Sequence, residues 1–97
     1  MVKHVVMFRL KGTKEERREA SLLFKDALEM LPEVIDVLEG IEVGINENPG
    51  ESWDVVLTAQ LPTMDAVEVY AKHPAHVAAA KIIAACKADR ACVDYTF

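Results

Sequence analysis

The chain is predicted to fold as an α+β domain with two helices on one face of a four-stranded antiparallel sheet, and three observations carry that prediction. Four short stretches rich in β-branched and aromatic residues alternate or run continuously apolar, and two longer stretches repeat apolar residues at helical spacing. Their order is strand, helix, strand, strand, helix, strand, the ferredoxin-like βαββαβ arrangement. The turn cluster Asn46-Glu47-Asn48-Pro49-Gly50-Glu51 joins the two central strands as a hairpin.

The first strand is Val2-Lys3-His4-Val5-Val6-Met7-Phe8-Arg9-Leu10. One parity holds His4, Val6, Phe8 and Leu10, the other Lys3, Val5, Met7 and Arg9, and both are largely apolar, so neither face should be open to water. Gly12 ends the strand. Thr13 with Glu16 three residues on forms a capping box for a helix running to about Leu31, with Ala20, Leu23, Phe24, Ala27, Leu28 and Leu31 as its apolar stripe. Beyond Pro32, residues Val34 to Val43 return to strand chemistry, with a bulge expected at Gly40. Trp53 to Leu61 is the third strand, with Trp53, Val55, Leu57, Ala59 and Leu61 on one face. Pro62 stops it and Thr63 caps the next helix.

The second helical region runs from Met64 to about Lys87 and must break at His73-Pro74, because an interior proline removes a hydrogen bond and clashes with the preceding turn. Its later half is alanine-rich. Small residues there allow close approach to the sheet or leave space for a ligand. Asp89 and Arg90 mark the exit, and Ala91 to Phe97 is the last strand. Val5, Met7, Val93 and Tyr95 share the parity facing away from the helices, so a second sheet from another copy of the chain is the simplest cover.

One domain, residues 1–97, is all this length can support, since a chain of 97 residues has no room for a second core. A net charge of −5 with acids and bases interspersed provides no basic stripe, which argues against nucleic acid and anionic membranes. The chain enters strand pattern at Val2 without a leader-like segment, no apolar run approaches the ~18 residues of a membrane span, and Cys86 and Cys92 lack metal-type spacing. A cytoplasmic homodimer that binds a small molecule is the expected class.

Lys3-His4-Val5-Val6 at the start, Tyr70 ahead of His73-Pro74-Ala75-His76-Val77, and Asp94-Tyr95 at the end together resemble the Dabb family, the stress-responsive A/B barrel domain. The resemblance spans the whole chain and implies a ferredoxin-like protomer that pairs sheet to sheet into a dimeric α/β barrel, with a pocket between sheet and helices. Most members have no assigned reaction. A plant branch contains a polyketide cyclase in which the second histidine of His-Pro-x-His is the base and the upstream tyrosine assists. The resemblance carries those roles to His76 and Tyr70, and places His4 and Asp94 in the pocket. Apolar Val55 replaces a polar lining residue of that branch.

The residues themselves allow such chemistry. His76 falls in the first turn after Pro74, where the positive helix end favours a neutral ring able to accept a proton. On an unbroken helix Tyr70 and His76 would point roughly 120° apart, so the break must bring them together. A tyrosine hydroxyl beside a neutral histidine suits proton abstraction next to a carbonyl. The expected lining is His4, Val6, Phe8, Phe24, Val55, Leu57, Cys92 and Asp94. His73, pointing away from His76, is expected to cap the second segment.

No cofactor is expected, because the four glycines are scattered and form no phosphate-cradling motif. No metal site is expected either. Although His4, His73, His76 and Asp94 are suitable donors, His-x-x-His across a proline is poor spacing for two ligands. If the chain is an enzyme, the expected class is a cofactor-free lyase, cyclase or isomerase. The competing reading is a stress-related assembly protein whose histidines are structural, satisfying backbone groups freed at the helix break.

Overall fold

In the computed structural model, which describes residues 1–97, β1 (Val2–Leu10) is followed by α1 (Lys14–Glu29) and a 3-10 turn over Leu31–Glu33. Then come β2 (Gly40–Ile45), β3 (Val55–Leu61), α2 (Met64–Lys72), α3 (Pro74–Ala84) and β4 (Lys87–Thr96). The strands lie in the order β2-β3-β1-β4, each neighbouring pair antiparallel. This is the ferredoxin-like arrangement. No helix is long and apolar enough to cross a membrane.

Local chemistry starts each helix where the sequence places it. Glu16 N–H donates to Thr13 Oγ1 at 3.1 Å and Thr13 N–H donates to Glu16 Oε1 at 2.9 Å, completing the capping box of α1. The tight entry needs Gly12 at φ +114°, a left-handed backbone that side chains resist, and a Cβ there would press on Glu16 Oε1 at 3.3 Å. Thr63 caps α2 with its side chain alone, Oγ1 accepting from Ala66 N–H at 3.2 Å.

The core lies between the helices and the sheet face carrying His4, Val6, Phe8 and Leu10 of β1 and Val55, Leu57, Ala59 and Leu61 of β3, all buried. Phe24, Leu28, Tyr70 and Ile83 fill it from the helices, and small Ala79 lets α3 sit close. Asp54 fastens the end of β1 to the start of α1. Its Oδ2 accepts from Leu10 N–H at 2.7 Å and its Oδ1 from Arg17 Nη1 at 2.8 Å. Along β2, the Val43 carbonyl accepts from Lys25 Nζ at 2.6 Å and Val43 N–H donates to Glu29 Oε2 at 3.3 Å. These side chains occupy strand-edge groups that would otherwise be free to pair with another strand.

Several local expectations give way. The 34–39 segment is not strand. Val34 and Ile35 N–H both donate to the Leu31 carbonyl and Leu38 N–H to that of Ile35, so turns set buried Ile35 and Leu38 three residues apart under the core. β2 then pairs in unbroken register from Gly40↔Gln60 to Ile45↔Val55, without a bulge at Gly40, and the sheet's irregularity falls at Arg9/Leu10.

Leu23 is 56% exposed. The inner line of α1 is instead Ser21, Phe24 and Leu28, its start hidden from a hydropathy reading by a buried serine. Trp53 lies outside β3, half-buried, with the Arg9 guanidinium 4.9 Å from its ring centroid. Asp89 and Arg90 do not mark an exit. They belong to β4, opposite Arg9 and Phe8, because an exposed edge strand tolerates charge as long as its backbone pairs.

The far face of the sheet has no cover within the chain. Val5 faces Val93, Lys3 faces Tyr95 and Met7 lies beside Val56, while Val93 is 56% and Tyr95 43% exposed.

Candidate functional site

The site forms where the α2–α3 break meets the β1–β4 pair. His73 sits between the helices in extended backbone (φ −62°, ψ 135°), the conformation favoured ahead of proline. Its Nδ1 accepts from Ala75 N–H at 3.0 Å, so His73 caps α3. Pro74 opens that helix and His76 follows in its first turn. The change of direction brings the Tyr70 and His76 rings to a centroid separation of 4.6 Å with a 54° tilt.

His4 lies on the other side of Tyr70, edge-on, with centroids 5.8 Å apart. It stands directly opposite Asp94 in the β1–β4 register, and its Nδ1 is 2.5 Å from Asp94 Oδ1. Cys92 Sγ lies 3.6 Å from the same nitrogen. His4, Tyr70, His76, Cys92 and Asp94 therefore form one cluster. Val6, Phe8, Phe24, Val55 and Leu57 lie packed in the core, Phe8 and Phe24 meeting edge to face at 5.4 Å.

Hydrogen bonding assigns the His76 tautomer. Nδ1 lies 2.9 Å from the Ala71 carbonyl, which only accepts, so Nδ1 carries the hydrogen and Nε2 keeps its lone pair. Burial lowers the His76 pKa below its ordinary 6.5; the bond to Ala71 opposes this, and charges on His4 and Arg90 reinforce it. The ring is a neutral acceptor near pH 7.

Tyr70 is 0% exposed, and its hydroxyl has no hydrogen-bond partner. Burial pushes its pKa well above the ordinary tyrosine value, so it remains a hydrogen-bond donor. An unpaired buried hydroxyl costs about 1–3 kcal/mol, and a ligand oxygen would satisfy it. Burial, with the neighbouring Asp94 carboxylate, also raises the Cys92 pKa, Arg90 acting the other way, so the sulfur is held as a thiol.

Arg90 is the residue that sequence reasoning missed. It shares parity with Cys92 and Asp94 along β4, which was the available signal, but its place in the strand depends on pairing with Phe8.

Two cavities lie away from this cluster. One of about 370 Å³ separates the first half of α1 from the β2–β3 loop and is lined by Lys14, Arg17, Arg18, Asn46 and Glu51 among others. Another of about 320 Å³ lies on the far side of the sheet around Met7, Gly44, Trp53, Val55 and Val56.

No curated protein matches the chain. Solved structures do. A dimeric ferredoxin-like protein of unknown function from Bacteroides fragilis is 49% identical, with a TM-score of 0.96 over 99% of this chain and 95% of that one. A dimeric ferredoxin-like protein of unknown function from Thermobifida fusca is 29% identical, with a TM-score of 0.78 over 99% and 90% of the two chains. A Dabb-family protein with a ferredoxin-like fold from Mesorhizobium loti, 22% identical with a TM-score of 0.73 over 98% and 94%, shares the fold. The stress-responsive A/B barrel domain model matches residues 2–97, and with the strand order and the histidine–tyrosine cluster now described, the chain belongs to the Dabb family.

Proposed function

We propose that this protein binds a small hydrophobic carbonyl compound between the sheet and the helices and removes a proton next to the carbonyl. His76 Nε2 is the base and the Tyr70 hydroxyl donates to the enolate oxygen. The supporting observation is the pairing of a neutral ring with a free Nε2 and a buried, unpartnered hydroxyl, their rings 4.6 Å apart. His4, held by Asp94, buttresses the far side of Tyr70. Such chemistry needs only a proton acceptor and an oxyanion donor, and serves aldol cyclisation or isomerisation without a cofactor. Because Tyr70 is sealed, entry of the ligand requires displacement of side chains on the half-buried His76 side.

The working form is a homodimer paired through the open sheet face of Val5, Met7, Val93 and Tyr95. That face also favours a second reading, in which the paired barrel serves a stress-related assembly and the histidines are structural. The two separate in one experiment. The full chain is incubated in D₂O with a panel of small ketones and β-dicarbonyl compounds, and deuterium entry next to the carbonyl is followed by NMR. Exchange that falls about 10²-fold or more in His76→Ala supports the base. Exchange equal in both proteins, with the dimer intact, leaves the assembly reading.

A further inference from the structure

We propose that His4, Cys92 and Asp94 form a binding site for a divalent transition-metal ion of the zinc and cobalt class. His4 and Asp94 are cross-strand partners on β1 and β4, and Cys92, two residues before Asp94, projects to the same side. Their donor atoms all lie within 4.8 Å of one another. Cys92 Sγ is 3.6 Å from His4 Nδ1 and 3.9 Å from Asp94 Oδ1, and Oδ1 is 2.5 Å from Nδ1.

The direction of these contacts favours chelation over nucleophilic catalysis. A cysteine–histidine–acid relay needs the thiol and the acid on opposite ring nitrogens, so that a proton taken at one is balanced at the other. Here both approach Nδ1. Three donors around one point make a chelate.

A tetrahedral ion with bonds of about 2.0–2.3 Å sets nitrogen and sulfur about 3.6 Å apart, and nitrogen and oxygen about 3.3 Å apart. The nitrogen–sulfur edge already fits and the sulfur–oxygen edge nearly so. The third requires Asp94 Oδ1 to withdraw from the ring, a rotation open to a side chain 31% exposed. Binding at Nδ1 moves the hydrogen of the neutral His4 ring to Nε2 and releases the hydrogen of the thiol, after which thiolate and carboxylate balance the ion's charge. Arg90, whose charge lowers the thiol pKa, favours the thiolate that binding requires. A nitrogen, sulfur and oxygen set selects Zn²⁺ or Co²⁺ over Mg²⁺ and Ca²⁺, and three protein ligands leave a fourth position for water or a ligand oxygen. Of the three histidines only His4 takes part, which is why histidine spacing in the sequence pointed away from a metal.

Neither His76 nor Tyr70 is a ligand, so the site is tested apart from the proposed base, although filling it exchanges the Asp94 bond to His4 for the metal. The test is anaerobic titration of the full chain with Co²⁺ at neutral pH. One equivalent per chain is expected, with a thiolate-to-cobalt charge-transfer band and the intense visible bands of tetrahedral cobalt, both bleached by Zn²⁺. Cys92→Ala, at an exposed position, loses the charge-transfer band. Asp94→Asn and His4→Gln each weaken binding at least about 10-fold. Cys86→Ala and His76→Ala keep the band. A wild-type protein without the band, or a band that survives in Cys92→Ala, overturns the proposal, and the Cys92 variant decides if His4→Gln does not fold.

Discussion

The Tyr70 and His76 rings meet at 4.6 Å, tilted by 54°, although six residues of continuous helix would turn them roughly 120° apart. Pro74 causes the approach. It ends α2 at Lys72, holds His73 in extended backbone and restarts α3 in a new direction. The result is a donor and an acceptor side by side, each with one function left unpaired.

Tyr70→Phe separates the two roles of that hydroxyl. With no ligand bound, its removal relieves an unpaired buried group, so stability in urea should stay equal or rise by up to about 1–2 kcal/mol. Carbon-bound proton exchange should fall about 10²–10³-fold, as when one oxyanion donor is lost. A hydroxyl that merely held the fold would give the opposite result, lower stability with exchange unchanged.

With His76 as the proposed base, both proton exchange and stability should depend on pH. Its folded pKa lies below 6.5, so just under pH 6.5 the unfolded chain binds more protons than the folded one. Stability should therefore be full above that value, fall on acidification, and level off once pH passes below the folded pKa. The exposed carboxylates with lowered pKa, Glu16 and Glu68, act only below 4.5, a separate window. Burial is the main cause that holds the ring neutral, and the Arg90 charge adds to it. Chemical denaturation between pH 5 and 8 should show a step that is absent in His76→Asn, and proton exchange should rise through the same pKa to a plateau near neutrality.

Asp54 carries a test of the frame that positions the site. Asp54→Ala strips Leu10 N–H and Arg17 of their acceptor and should cost about 2–3 kcal/mol in urea unfolding. Asp54→Asn, which keeps an acceptor for the amide, should cost clearly less. Equal losses would place the stability in charge rather than in the Leu10 bond.

Val93→Lys sets a charge in the centre of the open sheet face without touching the helix side. Light scattering at micromolar concentration should show the wild-type protein as a dimer and the variant as a monomer, because an unpaired charge is costly inside an apolar interface. A monomeric wild-type protein would remove the dimer reading.

Covalent geometry decides much of what the sequence alone determined here. Side chains alternate along a strand whatever surrounds it, so Val6, Phe8, Val55 and Leu57 were legible as one buried face, and His4 with Asp94 as partners on it. Proline acts just as locally, which made the break at His73 and its capping role visible. The tertiary structure decided what depends on distant partners. Leu23 rather than Ser21 turned outward because the sheet meets α1 along another line, and residues 34–39 curled into turns because Ile35 and Leu38 fill the base of the core. Arg90 entered β4 only by pairing with Phe8. The sealing of the Tyr70 hydroxyl, the proton on His76 Nδ1 and the meeting of Cys92 with His4 follow from packing between segments far apart in the chain, which no local pattern encodes.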